Sequence, residues 1–310
     1  MKSKITSILI ATDFSELSES ALKVGIAIAT RQNAAITLLH VVNMYSHYGT
    51  PDVLLQESGK TPDVILLMSD KIMELASDIQ KRSGVRITGK LLSGVPAESI
   101  CQYASKENIS LIVMGTHGIS GLRERFIGSV AFRVIRNAPC PVLTIPGNWQ
   151  KTDFEKVLFP VRLKPGMLEK YFYARPIIEK NNSEVMLLGL ADEKKSEAAN
   201  EVSLLMDKLK VQLYTDKILF HTSLSPSKDF PKTIIDLAIE FEADLIVLSA
   251  NIDFNFKSFF VGPFAQHVVN HSHLPVLSIR PTNKAAEQPS SLELAMKWGK
   301  SIRYSDPLTH

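Results

Sequence analysis

The feature of this sequence that most constrains its fold is that the second half repeats the first. The apolar run 111–114 (Leu-Ile-Val-Met) recurs 134 residues later as 245–248 (Leu-Ile-Val-Leu), and 8–11 (Ile-Leu-Ile-Ala) recurs 149 residues later as 157–160 (Val-Leu-Phe-Pro). The change of offset corresponds to a deletion of 15 residues in the second half. Each repeat can hold a complete set of strands and helices, so the pattern indicates a duplicated domain and not a solenoid.

Within each repeat, short apolar runs typical of buried strands alternate with segments of helical periodicity. The run 8–11, for example, precedes a segment that places Leu17, Ala21 and Val24 on one helical face. This alternation predicts an α/β fold with a parallel sheet covered by helices on both faces. We expect a first domain over residues 1–147, a linker over 147–154, a second copy over 155–281 and a C-terminal tail over 282–310.

A glycine pattern follows the fourth predicted strand of the first copy. Gly115, Gly118, Gly128 and Ser129 are spaced as G-x2-G-x9-G-S, with a predicted helix beginning at Ser129. Glycines at a strand end allow close approach of a ligand to the backbone, and a helix N-terminus favours an anion. Glycines that merely shape turns are the alternative, but the preceding strand, the following helix and the spacing favour a phosphate-binding loop.

These motifs resemble the universal stress protein family in its tandem form. The resemblance rests on G-x2-G-x9-G-[ST], Ala-Thr-Asp-Phe-Ser after the first strand, and Asn-Ala-Pro-Cys-Pro-Val-Leu before the last. It is strong over 4–147 and weaker over 155–281. It implies two tandem open five-stranded parallel sheets with strand order 3-2-1-4-5. It also implies an ATP-binding first domain, with adenine, ribose and phosphates contacted by Ala11, Asp13, Val41, Met114, Gly115, Gly118, Gly128, Ser129 and Val130.

Some residues near this loop have two interpretations. A carboxylate at Asp13, just past a strand end, can accept hydrogen bonds from ribose hydroxyls, or it can cap a helix beginning near Ser15. Arg123 and Arg125 are candidates for phosphate contacts or are solvated loop charges. His117 lies between two glycines without an evident carboxylate partner in sequence, so no catalytic role is assigned to it.

The second copy has lost most of this loop chemistry. Asp13, Gly118 and Ser129 correspond to Arg162, Ile252 and Pro263. Arg162 reverses the charge, and Ile252 has a β-branched side chain that resists positive φ. Pro263 has neither an amide hydrogen nor a hydroxyl, so all three changes disfavour ATP binding. We therefore expect one ATP or ADP per chain, with Mg²⁺ strengthening its binding.

The two copies are also expected to pair with each other. Each ends on a short apolar strand, 141–145 and 275–279, and an unpaired apolar edge is a liability that pairing removes. We predict an intrachain pseudo-dimer through these strands, and a homodimer of whole chains stays open.

Composition narrows the function class. The chain carries 35 basic and 32 acidic residues without a long block of like charge, which gives no support for nucleic-acid binding. The sequence shows no run of membrane-spanning length and no signal peptide, so no membrane association and a cytoplasmic location are expected.

Cys101 and Cys140 are interpreted as reduced, buried thiols. The cluster His267, His271 and His273 lacks a visible third ligand in suitable spacing, which favours solvent-facing histidines over a metal site.

The sequence therefore predicts a cytoplasmic stress-response protein that binds ATP in its first domain, with a structural or regulatory second domain. No dedicated catalytic base is visible, and slow ATP hydrolysis stays open. One alternative is an adenylating or pyrophosphatase-type enzyme, but Ala-Thr-Asp-Phe-Ser stands where those families carry Ser-Gly-Gly-x-Asp-Ser. The other is a nucleotide-free interaction module that serves only dimerisation, against which the intact first loop argues.

Overall fold

The computed structural model describes residues 4–43, 61–116, 127–164, 166–194, 197–250 and 263–280. The elements of the first copy are β1 (Ser7–Ala11), α1 (Glu16–Gln32), β2 (Ala35–Val42), α2 (Thr61–Ser83), β3 (Ile87–Ser93), α3 (Pro96–Lys106), β4 (Leu111–Gly115), α4 (Ser129–Asn137) and β5 (Val142–Ile145). Those of the second are β6 (Lys156–Val161), α5 (Met167–Asn181), β7 (Glu184–Asp192), α6 (Ala198–Thr215), β8 (Phe220–Ser227), α7 (Phe230–Glu240), β9 (Leu245–Ser249), α8 (Pro263–His271) and β10 (Val276–Ile279).

These ten strands form a single sheet in the order β3-β2-β1-β4-β5-β10-β9-β6-β7-β8. Within each copy the neighbouring strands are parallel, and their order is the predicted 3-2-1-4-5. The predicted fold class is therefore confirmed, with one addition. The two five-stranded sheets are not separate, because they join edge to edge into one sheet.

The junction is formed by the two strands that were predicted to pair. β5 and β10 run antiparallel with Leu143 opposite Leu277. These two leucines are 134 residues apart and thus equivalent in the repeat, so a pseudo-twofold axis passes between them. Both strands begin one residue later than predicted, after Pro141 and Pro275, which have no N–H to donate to a ladder.

The hydrophobic core consists of two layers, one on each face of the sheet. Side chains alternate along each strand, so Ile8 and Ile10 enter one layer and Leu9 the other. Helices α1, α2, α5 and α6 cover the first layer, and α3, α4, α7 and α8 cover the second. Both layers run through both copies. Leu17 departs from the predicted buried face of α1: it is 37% exposed, in the first turn of the helix beside Gly147.

Several other predicted features can be placed on this fold. Cys101 and Cys140 are free thiols, and burial raises the pKa of Cys101 to about 11 and that of Cys140 to about 12, so both are protonated at neutral pH. His267 and His273 are exposed. Among the residues that the structure describes, no cluster of three His, Cys, Asp or Glu side chains is arranged to hold a metal. No helix in the same residues is long and apolar enough to cross a membrane.

Candidate functional site

A cleft of about 220 Å³ lies in the first copy, where β1, β2 and β4 end. This volume is several times the ~30 Å³ share of one water molecule, so the cleft can admit part of a small molecule. Eight of the nine residues predicted to contact the nucleotide line it: Ala11, Asp13, Val41, Met114, Gly115, Gly128, Ser129 and Val130. The ninth, Gly118, lies outside the described residues, as do His117, Arg123 and Arg125. We call this cavity the first-copy cleft.

Topology explains why residues so distant in sequence meet here. Parallel strands place their carboxyl ends on the same edge of the sheet, and β1 lies between β2 and β4. The chain after β1 forms α1 on one face, whereas the chain after the neighbouring β4 leads to α4 on the other. The crevice between these diverging connections is the usual ligand position in open α/β sheets.

The turn between β1 and α1 forms one wall of the first-copy cleft. Oδ1 of Asp13 accepts hydrogen bonds from the amide of Ser15 at 3.1 Å and from its hydroxyl at 2.6 Å. Ser15, not Asp13, occupies the N-cap position of α1. Asp13 therefore closes an Asx turn just before the helix while also lining the cleft, so its turn-forming role does not remove it from the ligand side.

This turn contains strained backbone. Phe14 has φ of 61°, in the left-handed region that a bulky residue rarely adopts. Its ring packs 4.6 Å from the ring of His40, and the ammonium of Lys71 lies 4.3 Å from its centroid. His40 Nδ1 is 2.8 Å from the carbonyl oxygen of Thr12, and since a carbonyl can only accept, Nδ1 carries a hydrogen. These contacts hold the strained turn against the end of β2.

The opposite wall is the N-terminus of α4. Gly128 is its N-cap residue, Ser129 is its first residue, no side chain caps the helix, and its first turn has no acidic residue. The first amides of a helix lack intrahelical partners, so these groups are available to an anion. The amide of Gly128 donates to the carbonyl of Thr116 at 2.7 Å, and the amide of Thr116 donates to that of Ile145 at 3.0 Å. The entry to α4 is thereby tied to the end of β5.

The rest of the lining is half polar and half apolar. Sequence reasoning did not identify eight of the lining residues: Thr12, Ser18, Leu39, His40, Pro96, Ile100, Thr116 and Ala131. His40 and Thr116 could have been predicted as lining residues because each lies at the end of a strand. Pro96 and Ile100 could not, because they belong to α3, which only the folded structure brings close to the cleft. Asp13 is the one carboxylate and His40 the one imidazole among the described lining residues. The cleft therefore combines an apolar surface for a flat ring with polar groups at two ends.

The equivalent positions of the second copy are arranged differently. Arg162 replaces Asp13, and its guanidinium lies 5.0 Å from the ring centroid of Phe230, which stands where the first copy has Pro96. Pro263 begins α8 as Ser129 begins α4. Ile252 and Gly262 lie outside the described residues. The guanidinium of Arg162 and the ring of Phe230 thus stand where the first copy has Asp13 and Pro96, two residues that line the first-copy cleft.

Comparisons with known proteins agree with this architecture. A universal stress protein of Methanocaldococcus jannaschii is 38% identical over 141 residues, which cover 44% of this chain and 80% of that protein. One of Bacillus subtilis is 33% identical over 142 residues, covering 44% of this chain and 96% of that protein. The crystal structure of a universal stress protein from Archaeoglobus fulgidus superposes with a TM-score of 0.68 at 19% identity, over 91% of this chain and 98% of that one, and so shares its fold.

The family model matches the chain twice. The model of the universal stress protein family covers residues 4–146 and again 154–280, which together make up most of the sequence. The two matches correspond to the two five-stranded halves of the sheet. The chain therefore belongs to the universal stress protein family, in a tandem form with two copies.

Proposed function

We propose that the first-copy cleft binds ATP and that the protein acts as a cytoplasmic stress-response protein whose nucleotide-bound and free states are distinguished by a partner. The observation that carries this proposal is the convergence of the nominated residues around one cavity. They come from three strand ends and one helix N-terminus, although up to 119 residues separate them in sequence. Membership of the family adds support, and the second copy takes a structural or regulatory role.

Each part of the cleft has a task in this proposal. The apolar side chains of Val41 and Met114 contact the adenine or ribose, and Asp13 accepts hydrogen bonds from ribose hydroxyls. The first amides of α4 and the hydroxyl of Ser129 donate to phosphate oxygens. Gly118 allows the backbone to approach the phosphates closely. Mg²⁺, as the companion ion of ATP, would offset part of the phosphate charge. Binding and release suffice for such a role, so no catalytic base is invoked.

The second copy itself suggests the variant that tests this site. Ser129→Pro introduces the residue that begins α8 and removes both the amide hydrogen and the hydroxyl at the start of α4. Proline is well tolerated at the first position of a helix, and Gly128 already has ψ of 146°, as a residue before proline requires. We expect the fold to persist and ATP affinity to fall about tenfold or more, since a hydrogen bond to a charged group contributes roughly 1.5–3 kcal/mol. Isothermal titration calorimetry measures the loss.

Ser129→Ala is the matched control, because it removes the hydroxyl and keeps the amide. It should lose less affinity than Ser129→Pro, and adenosine, which has no phosphates, should bind both variants as it binds the wild type. Unchanged ATP affinity in Ser129→Pro would exclude the helix N-terminus as the phosphate site.

The competing functions predict different results for the wild-type protein. Small molecules released from denatured protein and analysed by mass spectrometry should include ATP or ADP. A protein that carries no nucleotide and takes up none in solution would instead be an interaction module. Pyrophosphate release that depends on a cosubstrate would indicate an adenylating enzyme.

A further inference from the structure

The second copy contacts the first-copy cleft at the helix that begins its phosphate side. The amide of Ile127, next to the N-cap Gly128, donates to Oδ1 of Asn270 in α8 at 3.1 Å. This bond joins residues 143 positions apart, and it lies immediately before the first amides of α4. A side chain of the second copy thus fixes the backbone that leads into the site.

The same helix is held at its other end. Nη1 of Arg280, the residue after β10, donates to the carbonyl of Arg136 in the last turn of α4 at 2.9 Å. Carbonyls in the last turn of a helix lack intrahelical partners, and a cation there interacts favourably with the helix dipole. Arg280 therefore satisfies a carbonyl that α4 cannot satisfy itself. The two contacts lie at opposite ends of a nine-residue helix.

The contact of Arg280 runs in one direction. The position equivalent to Arg280 in the first copy is Pro146, whose side chain has no hydrogen-bond donor. The first copy therefore cannot hold the C-terminal end of α8 as Arg280 holds that of α4. A helix as short as α4 depends on tertiary contacts for its position, and its own buried side chains are only Ala131, Val134 and Ile135. The hydrogen bonds at its two ends therefore help to fix the orientation of α4.

We propose that Asn270 and Arg280 are positioning residues for the first-copy cleft, so that the second copy acts as a built-in subunit that orients α4 toward the phosphates. This inference rests on the proposed ATP site and specifies how the second copy supports it. A change in the orientation of α4 moves the proposed donors to phosphate, whereas of the apolar lining it moves only Val130 and Ala131. Loss of either contact should therefore weaken ATP binding more than adenosine binding.

The test compares variants that remove a contact with variants that keep it. Asn270→Leu preserves size and favours the helix but removes the acceptor. Arg280→Met removes the donor, whereas Arg280→Lys keeps one. His273→Ala, at an exposed residue just after α8, is the control. We expect ATP affinity to fall roughly three- to tenfold in Asn270→Leu and Arg280→Met, whereas adenosine affinity should change by less than about twofold. Arg280→Lys should bind ATP within about twofold of the wild type.

Hydrogen exchange of the ligand-free proteins gives a second readout. Amides of residues 127–131 should exchange faster in Asn270→Leu, and those near residue 136 faster in Arg280→Met, while the control matches the wild type. Equal losses for ATP and adenosine, or wild-type affinity and exchange in both variants, would overturn the proposal. If the wild type binds no nucleotide, the proposed function fails. In that case, amide hydrogen exchange of the ligand-free variants still tests whether the second copy positions α4.

Discussion

At the scale of single residues, Lys170 is the most unusual side chain of the second copy. It is 2% exposed, its ammonium lies 4.0 Å from the ring centroid of Phe159, and its Nζ donates to the carbonyl of Pro160. Burial lowers the pKa of Lys170 well below its ordinary value, and the nearby Arg162 lowers it further. Helical spacing in sequence does not reveal such a residue, because a lysine in an amphipathic helix is normally assigned to the solvent face.

This lowered pKa predicts a pH-dependent stability. In the unfolded chain Lys170 keeps its proton up to about pH 10.4, whereas the folded side chain releases it at lower pH. Between the two pKa values the unfolded state holds more protons, so the free energy of unfolding rises with pH from the folded pKa up to the unfolded pKa and is independent of this group outside that interval. Lys170→Met removes this contribution, which amounts to at most about 1.4 kcal/mol per pH unit.

Urea denaturation at a series of pH values measures the effect. The stability of Lys170→Met relative to the wild type should decline as the pH rises toward ~10, because only the wild type gains stability there. Lys106→Met, at an exposed lysine of α3, provides the control and should follow the wild-type profile. Parallel profiles for Lys170→Met and the wild type would show that Lys170 is charged in the folded state.

At the scale of elements, the backbone of α2 packs directly against the sheet at Gly89. A Cβ built on this residue of β3 would lie 2.6 Å from the carbonyl oxygen of Ile72 and 3.1 Å from the Cα of Met73, both backbone atoms of α2. Backbone atoms cannot yield as a side-chain end does, so Gly89→Ala should push α2 away from the sheet. We expect a loss of roughly 1–3 kcal/mol in the free energy of unfolding, measured by chemical denaturation.

Gly25→Ala is the matched control. A Cβ at Gly25 in α1 meets the side-chain end of Ile10, which can rotate, and alanine adds about 1 kcal/mol of helix propensity. Its stability should stay within about 1 kcal/mol of the wild type. A Gly89→Ala variant as stable as Gly25→Ala would mean that α2 shifts at little cost.

Elements with a strong periodic signal were predictable from the sequence, and those with a weak one were not. The buried central strands are continuous apolar runs, as expected of a parallel sheet covered on both faces. By contrast, β8 is an edge strand with alternating exposure and a proline, and nothing local marks it except its place in the repeat. Resemblance to the family supplied the strand order, and periodicity alone did not. Side-chain contacts between copies, such as that of Asn270, depend on the joined sheet and could not be predicted.

At the scale of the whole molecule, pseudo-twofold symmetry joins two copies that differ in chemistry. Pairing of β5 with β10 buries the two edges that would otherwise template association with other chains. Side chains of α1 reach the linker and the second copy as well, since Arg31 donates to the carbonyl of Thr152 in the linker and Gln32 to that of Pro176 in α5. The copies are thus joined on the helix face of α1 as well as through the sheet, which allows one copy to specialise in binding and the other in support.

This asymmetry predicts a stoichiometry of one nucleotide per chain. In the second copy Arg162 replaces the carboxylate of Asp13, its guanidinium stacks on Phe230, and Pro263 lacks the amide hydrogen that Ser129 offers. Equilibrium dialysis with labelled ATP should therefore find one site. Asp13→Arg, which copies the second-copy residue, should abolish that site. Arg162→Asp should leave the count at one, because Phe230 stays in place of Pro96 and Pro263, without an amide hydrogen, still begins α8. Two equivalent sites in the wild type would mean that the stacked pair moves aside for a ligand, and the second copy would then be a nucleotide-binding domain in its own right.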